Sequence, residues 1–155
     1  MQINRKSITR IAAIQVMYDY ENNKGDIDHS INNIYNYYKD IDVTKDFDES
    51  TDSKTLLRPS YNFLKQLINF THNDLNTLDI EIVNSLTHNQ NINDLSKIIR
   101  SIFRIAFTEI KHFKQTSSKV IINEYTNIAA DMLNDIEIGF VNSVLDKYTK
   151  KVRDD

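Results

Sequence analysis

The chain has no cysteine in 155 residues. That excludes a disulfide framework and any thiolate-ligated metal centre, and it predicts a protein of the reducing cytoplasm. Glycine occurs twice and proline once. So few turn formers argue against an all-β fold, whose hairpins depend on them, and for long helices. The same scarcity removes the phosphate-cradling loop and the dinucleotide fingerprint, which need several closely spaced glycines. No apolar run approaches the length of a membrane span, and the first six residues lead into no secretion-signal core. The four histidines, His29, His72, His88 and His112, are scattered, with no partner at metal-ligand spacing. No nucleophile–base arrangement can be named from spacing. The sequence therefore gives no support for an enzyme, a metal or a cofactor.

What is present is a soluble, globular composition, 40% hydrophobic and 26% charged, at a length suited to one domain. The net charge of −3 is unevenly spread. Six acids and one base fall between Asp40 and Asp52, leaving 16 acids against 18 bases elsewhere, a net +2. A weak overall charge leaves nucleic-acid binding open, because the clustering of bases on one face is what counts.

Apolar residues recur at helical spacing along most of the chain. A first helix is predicted from about Asn4 to Tyr20, with Ile8, Ile11, Ile14, Met17 and Tyr18 facing inward and Gly25 as a left-handed cap. A second carries Ile27, Ile31, Ile34, Tyr35 and Tyr38. Residues 39–53 read as an exposed acidic connection. Pro59 fits the first turn of a third helix carrying Leu64, Leu67 and Ile68. A fourth follows with Leu75, Leu78, Ile82 and Leu86. The fifth, about Asp94 to Phe113, is the most hydrophobic and is predicted to be central. A sixth starts near Ser118 and packs through Ile121, Tyr125, Ile128, Ala129 and Met132. The seventh opens at Asn134–Glu137, whose spacing fits a capping box, and ends among Lys147, Lys150, Lys151 and Arg153. Arg5, Lys6 and Arg10 crowd the start of the first helix, where cations oppose the macrodipole. Two readings fit: a solvated end with no task, or a cluster that contacts phosphate together with helix N–H groups.

Three segments in the last third carry a family resemblance. Phe103-Arg104-Ile105-Ala106-Phe107-Thr108-Glu109-Ile110 resembles a Leu-Arg-Leu-Ala-x-x-Glu-Leu motif. Lys119-Val120-Ile121-Ile122-Asn123-Glu124 resembles Lys-Val-x-Ile-Asn-Glu. Phe140-Val141-Asn142-Ser143-Val144-Leu145-Asp146-Lys147 resembles Phe-Val-Asn-Gly-Val-Leu-Asp-Lys. With Arg5-Lys6 and the Gln15-Val16-Met17-Tyr18 run, their order and spacing resemble the NusB family of bacterial transcription antitermination factors. The resemblance implies an all-α fold of about seven helices in one RNA-binding domain, with helical halves at about 1–90 and 91–155. It implies binding of single-stranded boxA RNA of ribosomal RNA operons, together with the ribosomal protein that acts as NusE and the transcription elongation complex. A homodimer is compatible with it.

Carried onto this chain, the resemblance assigns phosphate contacts to Arg5, Lys6, Arg10 and Lys119. It assigns hydrogen bonds to base or sugar to Gln15 and Asn142, and stacking on an unpaired base to Phe140. Phe140 fits the core equally well. Tyr18, Arg104 and Glu109 are assigned either to a protein-partner face or to buried ties between helices. Four positions depart from the family pattern: Ser117 stands for Pro, Ser143 for Gly, and Ile99 and Ile136 for acids. Two other functions are compatible with the same helices. One is the RNA-binding module of an rRNA cytosine methyltransferase, and the other is an interaction adaptor without RNA specificity.

Overall fold

The computed structural model describes residues 4–39, 58–88 and 90–155, so most of the acidic connection lies outside the described residues. Seven α-helices follow in order: α1 Arg5–Asn23, α2 Ile27–Lys39, α3 Tyr61–Asn73, α4 Leu75–Asn84, α5 Lys97–His112, α6 Ser118–Ala130 and α7 Asp135–Val152. A short 3-10 turn, Ile92–Asp94, precedes α5, and there is no strand among the described residues. The fold is all-α, as the scarcity of turn formers predicts. No described helix is long and apolar enough to cross a membrane.

Five of the helices begin the same way. The side-chain oxygen of Asn4, Ser60, Ser96, Ser117 or Asn134 accepts the backbone N–H three residues on. Each satisfies a donor that the helix itself leaves unpaired, a contribution of about 1 kcal/mol per cap. At Asn134 the expected capping box is complete, with Glu137 returning a bond to the Asn134 N–H at 3.1 Å. Three boundaries differ from the sequence reading. The left-handed residue after α1 is Lys24 (φ 47°), not Gly25, because the Lys24 N–H already closes the helix on the Tyr20 carbonyl at 2.7 Å. Pro59 lies outside α3, because the Ser60 hydroxyl takes the cap position and the Ser60 N–H is fixed to Thr9 Oγ1 at 2.8 Å. The fifth helix starts at Lys97 rather than near Asp94, because Leu95 is extended and Ser96 is the cap.

Helix α5 is the axis of the molecule. Every residue from Ile99 to Ile110 is buried, and α1, α3, α4, α6 and α7 all pack on it. One apolar cluster contains residues of all seven helices, from Ala12 and Ile31 to Leu145 and Tyr148. Helix α1 buries Ala12, Ala13, Ile14, Val16 and Met17, while Tyr18, expected inward, is exposed.

A helix buried on all sides must satisfy its polar groups internally, and α5 does so by binding one neighbour after another. Glu109 accepts Arg10 Nε and Nη2 at 2.9 and 2.7 Å and the Tyr125 hydroxyl at 2.7 Å, joining α1, α5 and α6. Burial pushes the Tyr125 hydroxyl well above its ordinary range, so it stays a donor. Thr108 meets Thr71 of α3 at 2.7 Å. Arg104 holds Asp79 of α4 through two bonds of 2.9 Å, and it shares Glu21 of α1 with Arg100. Lys111 bridges Asp74 and Glu81, and Glu81 also accepts the Tyr148 hydroxyl of α7. The ring of Tyr148 stacks on Phe107 at 3.9 Å. The carboxyl end of α5 is closed from outside. Arg153 donates to the carbonyls of Ile110, Phe113 and Thr116 at 2.8, 3.0 and 2.7 Å. The sequence places Arg153 among cations that suit the end of α7; it serves α5 instead.

Two stability outcomes follow. Arg10 and Glu109 have side-chain exposures of 2% and 0%, so Arg10→Ala would strand a buried carboxylate. Urea unfolding is expected to show a loss of about 3–5 kcal/mol. For Glu21, burial raises the pKa, but bonds and charge from Arg100 and then Arg104 outweigh it and hold the carboxyl below its ordinary range. A depressed folded pKa stabilises above the unfolded value, about 4.3, and that stability is lost as pH falls through the folded value. Glu21→Gln is therefore expected to lower the urea midpoint at pH 7, with the gap to the parent narrowing as pH drops below about 4.

Candidate nucleic-acid interface

The first turn of α1 projects Arg5 and Lys6 into solvent and contains no acid. Below them Ser7 is fully buried. Its N–H bonds the Asn4 cap at 2.9 Å, and its hydroxyl donates to Glu124 of α6 at 2.9 Å. Glu124 also lies 3.6 Å from Arg10 Nη1. Two residues further along α6, the Thr126 hydroxyl donates to Asn142 Oδ1 of α7 at 3.3 Å. Positions 124 and 126 are roughly 200° apart around a helix. Helix α6 therefore lies between the basic turn of α1 on one flank and exposed Asn142 on the other.

Arg10 does not belong to the exposed cluster. Both the bidentate pair with Glu109 and a 2% exposure withdraw it from any phosphate, and its guanidinium sits 5.7 Å from the Phe63 ring centroid. Lys119 is exposed in the first turn of α6. It lines a groove of about 410 Å³ with Asn123, Asp146, Lys150, Asp154 and Asp155, so its surroundings are mixed in sign. Asp155 accepts the Ser118 hydroxyl and, at 3.0 Å, the Ser118 N–H; those two bonds hold its carboxyl below the ordinary range. Phe140 is partly buried, with its ring edge-on to Phe103 at 5.7 Å, so it anchors in the core and keeps part of its surface outside.

Gln15 lies elsewhere. Its side-chain oxygen accepts the Tyr38 hydroxyl at 2.7 Å, and burial lifts that hydroxyl to about 12, keeping it protonated. Gln15 shares a largely apolar cleft of about 470 Å³ with Tyr18, Asp19, Ile34, Tyr37, Ile98 and Met132. Met132, expected in the core of α6, lies past its end and is 40% exposed. Arg104 and Glu109 are buried ties between helices, the second of their two readings, and neither presents a surface to a partner.

The departures from the family pattern have structural outcomes. Ser117 caps α6 where the family has proline, Ile99 is buried, Ser143 is exposed, and Ile136 is 85% exposed. Among the described residues no group of acids and histidines is placed to hold a metal. His72 bonds Tyr20 and His112 stacks on Phe70. Neither Ser7 nor Glu124 is among the site residues assigned from the sequence. Their 117-residue separation left no local signal.

The sequence model of the NusB family matches residues 7–150. Transcription antitermination protein NusB of Rickettsia massiliae (strain Mtu5) is 38% identical over 151 residues, covering 97% of this chain and 94% of that protein. Its counterpart in Rickettsia bellii (strain OSU 85-389) is 40% identical over 147 residues, covering 94% and 90%. Among solved structures, T. maritima NusB superposes with a TM-score of 0.75 at 22% identity, covering 99% of this chain and 96% of that one. A chain from a crystal structure of antitermination factors NusB and NusE in complex with dsRNA gives 0.71 at 18% identity, covering 95% and 96%. At such identities the structures speak for the fold, while the family match and the relatives near 40% identity carry the assignment: this chain belongs to the NusB family.

Proposed function

We propose that the protein is an antitermination factor that binds boxA-type single-stranded RNA of ribosomal RNA operons, with the ribosomal protein acting as NusE, on the transcription elongation complex in the cytoplasm. The observation that carries the reading is the placement of Arg5 and Lys6 on one flank of α6 and Asn142 on the other, all three exposed. Arg5 and Lys6 contact phosphates, and Lys119 extends the track along the first turn of α6. Asn142 bonds base or sugar, and the outward part of Phe140 stacks on an unpaired base. Gln15 orients within the Tyr18 cleft, which receives the protein partner; its apolar lining and exposed Tyr18 and Tyr37 suit a protein better than a polyanion.

Fluorescence anisotropy with a boxA oligonucleotide tests the reading. Three phosphate contacts on a single strand predict a slope of log affinity against log salt near −2. Arg5→Ala with Lys6→Ala is expected to bring it to about −0.7, since each contact on a single strand contributes roughly that amount. Equal affinity for a scrambled strand, or for a duplex of the same sequence, with and without the ribosomal partner, would overturn recognition of boxA.

A further inference from the structure

We propose that Glu124 is a positioning residue for the phosphate-contacting turn of α1, so that its carboxylate strengthens RNA binding even though it stands beside a surface meant for a polyanion. The proposal rests on the RNA reading above.

Simple electrostatics expects the opposite. Glu124 retains 18% side-chain exposure, and a carboxylate at a phosphate track repels it. Its neighbour Arg10 does not cancel that charge, because Arg10 is already committed to Glu109 through both Nε and Nη2. The trio of Arg10, Glu109 and Glu124 therefore carries one net negative charge under the basic turn.

The geometry supplies a reason for tolerating it. Arg5 and Lys6 have long, flexible side chains, and they can serve as a paired phosphate contact only if the turn that bears them is fixed. Asn4 caps the turn from within. The tie from the turn to another helix is the Ser7 hydroxyl on Glu124, and Arg10 meets the same carboxylate one turn later. Positions 7 and 10 lie on one face of α1, so Glu124 holds that face through the Ser7 bond, with the Arg10 guanidinium 3.6 Å away on the same side. The same carboxylate sets the distance between Arg5 and Lys6 on α1 and the Lys119 and Asn142 flank of α6. Glu124 acts through these groups and does not itself touch the strand.

Charge and grip separate by substitution. Glu124→Gln removes the charge and keeps an oxygen that accepts the Ser7 hydroxyl. Glu124→Ala removes both, and Ser7→Ala removes the bond while keeping the charge. In anisotropy titrations of the full chain with the boxA oligonucleotide across a salt series, Glu124→Gln is expected to bind at least as tightly as the parent. Glu124→Ala and Ser7→Ala are expected to bind roughly tenfold more weakly, the scale of one lost charge-assisted hydrogen bond. Their salt slopes should be shallower by roughly 0.7–1.4, or one to two phosphate contacts. Amide hydrogen exchange on the free proteins should show faster exchange in the first turn of α1 in those two variants, with α5 unchanged. Tighter binding by both Glu124 variants would mean the carboxylate only repels. Parental slopes in Glu124→Ala and Ser7→Ala would reduce the contact to a structural one. If the unsubstituted chain binds no RNA, the functional reading falls and this role falls with it, whereas unaltered exchange in a chain that does bind RNA overturns the grip alone.

Discussion

The Arg10–Glu109 pair, with the Tyr125 hydroxyl on the same carboxylate, is the constraint around which the helices are arranged. It joins α1, α5 and α6 at one point inside the protein. Both charged groups have left water almost completely, so each depends on the other's position. A hydrophobic contact tolerates a sliding helix; a bidentate guanidinium on a carboxylate does not. The pair therefore fixes the register of α1 along α5, and the Arg100–Glu21 and Arg104–Glu21 contacts repeat the fixing nearer the other end of α1. Between these two points the contact is made by small and aliphatic side chains, Ala13, Ile14 and Met17 among them.

From this arrangement the candidate interface follows. Helix α6 is held to α5 from below by Tyr125 on Glu109, to α1 at the rim by Glu124 on Ser7, and to α7 by Thr126 on Asn142. The exposed groups at the rim are two cationic side chains, an amide and part of an aromatic ring. The Tyr18 cleft opens on another part of α1, between α2 and the residues after α6, so the two candidate surfaces use different faces of the same helix.

Much of the fold could be read from the chain alone, because it is written in local periodicity. The long buried face of α5, the capping box at Asn134 and the start of α6 near Ser118 all depend on residues within a few positions of one another. What could not be read depends on partners far away in sequence. Arg10 looked like a third member of a basic cluster, since its carboxylate is 99 residues distant. A signal was nonetheless present: Arg10 lies four and seven positions before Ile14 and Met17, on their stripe, and so faces the core. Glu21 continues that stripe by another turn. Tyr18, next to Met17 in sequence, turns outward because α1 is covered on several sides but not on that one. Arg153 could not be placed at all from spacing, because a cation in the last turn of one helix is equally suited to closing another.

That closure bears on the order in which the molecule is completed during synthesis. The carbonyls at the end of α5 wait for a guanidinium that lies 43 residues further on from Ile110. While α6 and α7 are still within the ribosome, α5 is a strongly apolar helix with an open end and two uncovered flanks. Such a nascent segment invites chaperone capture, and the bundle becomes self-sufficient only when its final turn emerges.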